Sequence, residues 1–268
     1  MYHQIRLPHH LNLAIMLKNL NALGKYLFAV PFLVFGVMHF LGTKDMSSSV
    51  AYMPGGGALW IYITGAAMIA YAISIFLGKL DKLASYLCVL LLLIMTFMIH
   101  VSHSTISTDE GNGHIANLLK NLGLIGGALI YAGYYAKDSS YVGTSFDGLN
   151  GLGKYFFAIP FLIFGVLHIM GANNMAGQVD YMPGGGVLWI YLTGASMIAF
   201  AISVFIGKWD LLASYLCIFL LLVMTFFIHI PHTGEDVGHL VNLLKNIGLI
   251  GIALMYAGAC ARDNSFIG

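Results

Sequence analysis

Long apolar runs separated by short polar breaks make up most of this chain. Eight of them, near 23–42, 58–78, 83–102, 115–135, 152–171, 187–207, 212–231 and 240–259, reach the length of about 20 residues that a helix needs to cross a bilayer. Stretches such as Leu90-Leu91-Leu92-Leu93-Ile94-Met95 do not alternate as barrel strands would. In lipid, a helix is then the element that satisfies its own backbone. The pattern predicts an all-α transmembrane protein of eight helices.

The eight runs are four written twice. Aligning 23–103 with 152–232 without a gap gives 54 identities in 81 positions, at an offset of 129 residues. Most differences exchange one apolar side chain for another, as in Val30/Ile159 and Ile94/Val223. The expected organisation is an N-terminal segment 1–22, a first four-helix module 23–135, a linker 136–151, a second module 152–260 and a tail 261–268. An even number of spans per module makes the two four-helix bundles parallel repeats about an axis along the membrane normal. The apolar run 11–17 is too short to span and lacks a signal-peptide cleavage pattern, so a short surface helix with Lys18 at headgroup level is expected there. Pro31 and Pro160 fall within the first helix of each module and are expected to kink it.

Between the first and second helices only two of the nine positions 43–51 agree with the other module, yet Tyr52-Met53-Pro54-Gly55-Gly56-Gly57 returns intact as Tyr181-Met182-Pro183-Gly184-Gly185-Gly186. A proline and three glycines suit a tight turn with positive φ angles. The same segment also suits the wall of a pocket, with Tyr52, Pro54, Tyr181 and Pro183 as candidate lining residues.

With 59% hydrophobic and only 9% charged residues, the chain does not suit a soluble globular domain. The net charge of +1 is uninformative, but its distribution is not. Arg6, Lys18, Lys25, Lys79, Lys82, Lys137, Lys154, Lys208 and Arg262 fall on the side of the termini, and Lys44 stands alone opposite. This asymmetry predicts that both termini are cytoplasmic. There is no basic patch for nucleic acid, no nucleotide-binding glycine fingerprint and no C-x-x-C among Cys88, Cys217 and Cys260.

The chemistry gathers on the opposite side. Eight of eleven histidines form repeated pairs, His39/His168, His100/His229, His103/His232 and His114/His239, at the extracytoplasmic ends of the first, third and fourth helices. His3, His9 and His10 lie outside the repeat and read as surface residues. Below His114, Asn117 and Asn121 continue one face of the fourth helix with Lys120 beside them; His239, Asn242, Lys245 and Asn246 repeat the pattern. An ionisable group inside a span is costly and points to a polar cavity or a partner. Three readings stay open: interface histidines satisfied by water and loop carbonyls, a site for quinone or a small polar substrate, and a haem or transition-metal site. The absence of carboxylates within the apolar runs weighs against a carboxylate-rich metal centre.

Each module resembles the DoxX/DoxX-like family of four-helix membrane proteins. The resemblance rests on Phe35-Gly36-Val37-Met38-His39, the proline-containing loop after it, Gly78-Lys79 with Leu83-Ala84, and Leu118-Leu119-Lys120-Asn121 followed by Gly123, Gly126 and Gly127. The second module carries it at 164–168, Gly207-Lys208 and 243–246. This chain departs from the pattern as a tandem fusion and in having Thr64-Gly65 and Thr193-Gly194 where many relatives carry an acidic residue. The resemblance implies a multi-pass protein of a bacterial-type inner membrane, and some family members are associated with oxidoreductase complexes, including thiosulfate:quinone oxidoreduction. The leading expectation is a membrane subunit of a redox or respiratory assembly that binds quinone or a related small molecule, with other membrane or periplasmic subunits as partners. A small-solute carrier and a structural subunit without a ligand are the alternatives.

Overall fold

The computed structural model describes residues 9–101, 109–234 and 237–265, with side chains from residue 15 onward except at 102–112 and 235–236. Its long helices are α1 (His9–Leu41), α2 (Gly57–Leu77), α3 (Asp81–Met95), α4 (Asp109–Tyr134), α5 (Gly153–Met170), α6 (Gly186–Ile206), α7 (Asp210–Met224) and α8 (Val237–Ala259). No strand occurs among the described residues, and all eight helices are long and apolar enough to span a membrane, α3 and α7 with the turns that extend them. The protein is an all-α polytopic membrane protein. The ends of α1, α3, α5 and α7 and the starts of α2, α4, α6 and α8 form one face, termed here the histidine end. The opposite face, with the 136–151 connection, is the terminal end.

The surface helix expected over 11–17 is not a separate element. It forms the start of the 33-residue helix α1. No proline or glycine stands between Leu11 and Leu23 to stop the helix, and the residues there are largely good helix formers. At about 1.5 Å per residue α1 spans roughly 50 Å, so its first turns project beyond a hydrocarbon core of about 30 Å.

The two quartets interlock. Helix α1 packs most extensively on α8 of the other repeat and on α2 of its own; in the same way α5 packs on α4 and α6. Helices α4 and α8 also touch each other, so the fourth helices lie at the centre of a ring made by the other six. Burial follows: 67% and 72% of the most apolar windows of α4 and α8 are enclosed, against 28–33% in the other six helices. The aromatic cores of the repeats, Phe28, Phe32 and Tyr71 with Phe157, Phe161 and Phe200, merge into one continuous core.

Between helices in lipid, close packing of small residues replaces the hydrophobic effect as the source of association. Gly24 of α1 meets Gly251 of α8 so closely that a Cβ on Gly24 would lie 2.7 Å from the Gly251 carbonyl oxygen. The repeat-equivalent crossing, Gly153 of α5 on Gly126 of α4, is as tight. Gly36 with Gly65 and Gly165 with Gly194 do the same within each repeat. Pro31 and Pro160 are buried inside unbroken helices, each ring near a glycine of the other repeat's fourth helix, Gly248 and Gly123 respectively.

At the terminal end a buried carboxylate holds each repeat closed. Asp81 is fully buried and accepts from the Tyr131 hydroxyl and the backbone N–H groups of Lys82, Lys137 and Asp138 at 2.9–3.0 Å. Asp138 returns the contact by accepting from the N–H of Leu80, whose φ of 56° is otherwise unfavourable. Asp210, Tyr256, Arg262, Asp263 and Trp209 repeat the arrangement. Hydrogen bonds from the Ser140 side chain and from backbone N–H groups hold the half-buried Asp138 carboxyl down at about 2. The repeats thus extend past residues 135 and 260, into Lys137-Asp138-Ser139-Ser140 and Arg262-Asp263-Asn264-Ser265.

Candidate functional site at the repeat interface

The lysines of α4 and α8 point across the contact between those helices. Lys245 Nζ donates to Asn117 Oδ1 at 2.6 Å, and Lys120 Nζ donates to Asn242 Oδ1. Asn117 and Lys120 share a helix face at i, i+3, as do Asn242 and Lys245, so a single helix–helix contact closes both bonds. Lys245 is buried and Lys120 half-buried. Among the described residues neither is paired with a carboxylate; the salt bridge there is Lys82 with Asp147, at the terminal end.

The next asparagines anchor this box to the third helices. Asn121 Nδ2 donates to Thr96 Oγ1 and Asn246 Nδ2 to Thr225 Oγ1, each at 3.2 Å. Both threonines open a π-helical turn, Thr96–Val101 after α3 and Thr225–His229 after α7. Such turns shift the register of the residues that follow and recur at functional sites. Here those residues are His100 and His229.

On the histidine side, His100 Nδ1 lies 3.1 Å from His114 Nδ1, and His229 Nδ1 lies 3.5 Å from His239 Nδ1. Each bridge requires one Nδ1 to hold the proton and the other to accept it. His232 stacks near His239, with ring centroids 5.2 Å apart, and donates from Nδ1 to the Ile228 carbonyl at 2.8 Å. Three imidazoles thus meet in the second repeat; His103, the counterpart of His232, lies outside the described residues. His39 and His168 donate from Nδ1 to Phe35 and Phe164 of their own helices, both at 2.7 Å. The neutral ring therefore keeps its lone pair on Nε2.

His168 and His229 line one cavity of about 660 Å³ between α6 and α7, whose walls include Thr193, Ser196, Phe200, Cys217 and Phe227. Among the described residues no three His, Cys, Asp or Glu side chains converge as a metal-ligand set.

The Tyr-Met-Pro-Gly-Gly-Gly loops act chiefly as clamps. Tyr52 and Tyr181 donate to the carbonyls of Met98 and Phe227 in the π-helical turns, at 2.9 and 2.7 Å. Trp60 and Trp189 donate from Nε1 to the carbonyls of Pro54 and Pro183 at 2.7 and 2.8 Å. Gly55 and Gly56 have φ of 84° and 87°, a region that only glycine enters at low cost. The residue of this loop that borders the cavity is Met182, between Tyr181 and Pro183.

Sequence reasoning missed three contributors: Thr96 and Thr225, the π-helical turns, and the buried Asp81 and Asp210. The threonines were visible as repeated polar positions late in an apolar run. The aspartates, at the start of the third helices, resembled ordinary first-turn acids. Among protein families, characterised proteins and solved structures the chain finds no match.

Proposed function

We propose that this protein binds a small anionic or carbonyl-bearing molecule, with quinone the leading candidate, at the lysine–asparagine box between its repeats. The observation that carries the reading is the reciprocal pair Lys245–Asn117 and Lys120–Asn242, a buried and a half-buried ammonium group, each met by an amide oxygen and, among the described residues, by no carboxylate. Removing an ammonium from water costs several kcal/mol, and amide dipoles offset only part of that. A guest bearing negative charge or a polarisable carbonyl offsets more. In this reading Lys120 and Lys245 orient the guest's oxygen, and the bridged histidines pass protons to and from the site. The resemblance to the DoxX-like family supports a place in a membrane redox assembly, with other membrane or periplasmic subunits as partners. The excess of Lys and Arg at the terminal end supports an inner-membrane protein with cytoplasmic termini.

The test is binding of a short-chain benzoquinone to the purified protein, alone and with Lys120→Met and Lys245→Met together. Loss of binding by a variant that stays folded and monodisperse at the assay temperature supports the site; unchanged binding refutes it. A reduced-minus-oxidised absorbance spectrum of gently solubilised protein would show retained quinone or haem directly. The position of the box on the pseudo-two-fold contact also favours a second reading, a carrier of small anions. Counterflow in proteoliposomes separates the two.

A further inference from the structure

A second cavity breaks the symmetry of the repeats. It lies at the terminal end where α4, α5 and α8 meet, has a volume of about 260 Å³, and is lined by Tyr134, Asn150, Lys154, Cys260 and Arg262 among others. The equivalent place on the other side of the molecule holds a larger side chain. There Tyr135 stands where Cys260 stands here, and its hydroxyl donates to the Met255 carbonyl at 2.9 Å and lies against the backbone at Gly258. Exchanging a tyrosine for a cysteine opens the space that the phenol ring occupies opposite.

Two cations border this space. Lys154 Nζ sits 4.7 Å from the Tyr155 ring centroid, and neither it nor the Arg262 guanidinium has a carboxylate partner among the described residues. Among the described residues no acid lines the cavity. Asp210 accepts from the backbone of Arg262 and Asp263, Asp263 accepts from Trp209 and Ser265, and Asp147 pairs with Lys82. The charged side chains that line the cavity are Lys154 and Arg262, both cations, and the ends of α4, α5 and α8 add only partial charges of about half a unit each. Burial pushes the Cys260 thiol up to about 12, so it stays protonated and adds no opposing charge.

We propose that this cavity is a phosphate-binding site, with Lys154 and Arg262 meeting the phosphate oxygens and Asn150 and Tyr134 donating hydrogen bonds. Its position at the terminal end of the spans puts it at headgroup level, where an anionic phospholipid or a soluble phosphate can supply the group. The experiment is native mass spectrometry of the full chain released from nanodiscs of phosphatidylglycerol mixed with phosphatidylcholine, repeated with added inorganic phosphate. One phosphatidylglycerol per chain should be retained, and free phosphate should compete if the source is soluble; lack of competition assigns the lipid. Cys260→Tyr, which plugs the cavity with the residue found opposite and leaves both cations, should lower retention at least about tenfold. Lys154→Gln with Arg262→Gln should do the same. If Cys260→Tyr retains the lipid, the cavity is not the site, whatever the charge variant does. Equal retention of phosphatidylcholine overturns the proposal as well.

Discussion

Lys245 lies 2.6 Å from the side-chain oxygen of Asn117, 128 residues earlier in the chain. Neither residue reaches its partner unless the two repeats interlock through α4 and α8. The pair therefore reports both the architecture and the candidate site. A double-mutant cycle with Asn117→Ala and Lys245→Met, followed by thermal unfolding in detergent, should give a coupling of about 1.5–3 kcal/mol, the range for a hydrogen bond to a charged group. Additive effects would mean that the bond contributes nothing to the fold.

Packing between the repeats depends on glycine. Gly24→Leu would drive a side chain into the Gly251 backbone, and overpacking of this kind costs about 1–3 kcal/mol or more where backbone is the obstacle. Lower melting temperature and broadened gel-filtration peaks are expected. Gly177→Ala, where a Cβ meets nothing within 4 Å, should leave both unchanged.

The buried carboxylate at the start of α3 should be far more sensitive than its neighbours. Asp81→Ala leaves the N–H groups of Lys82, Lys137 and Asp138 and the Tyr131 hydroxyl without their acceptor. At about 1–3 kcal/mol per stranded buried donor, loss of folded protein is expected. Tyr131→Phe removes a single bond and should cost about 1 kcal/mol. Yield and melting temperature distinguish the two.

Acid should release the connection after α4 before it unfolds the spans. The Asp138 carboxyl is held down at about 2 by the Ser140 side chain, with the N–H groups of Leu80 and Ser140 adding to it. A depressed carboxyl favours the docked state fully above its ordinary value near 4, and that contribution fades as pH falls from there through about 2. Hydrogen exchange at the Leu80 amide should accelerate across that window. Asp138→Asn should abolish the acceleration.

The spans, the repeat and the polar faces were legible in sequence because each is a local pattern. Leu90–Met95 reads as membrane helix by composition alone, and His114, Asn117 and Lys120 fall on one face by spacing. What the lysines face was not legible. Asn242 is the partner of Lys120, but Asn121 stands one residue away, and spacing cannot say that the contact crosses between repeats. Nor could it show that Asp81 turns inward, because that depends on the chain returning at Lys137. The extent of α1 was not legible for a different reason: the polar residues Lys18, Asn19 and Asn21 interrupt the apolar run without interrupting the helix.

Interlocking of the repeats is tested most directly by disulfide formation in a background lacking Cys88, Cys217 and Cys260. A Cβ built on Gly258 of α8 would lie 3.0 Å from the Asn21 Cβ of α1, close enough for a disulfide after a small adjustment. Two separately closed bundles would instead set Asn21 against Gly133, the residue of α4 that matches Gly258. Mild oxidation in native membranes should cross-link Asn21→Cys with Gly258→Cys and leave Asn21→Cys with Gly133→Cys reduced. The opposite result would contradict the interlocked fold and, with it, the lysine–asparagine box between the repeats.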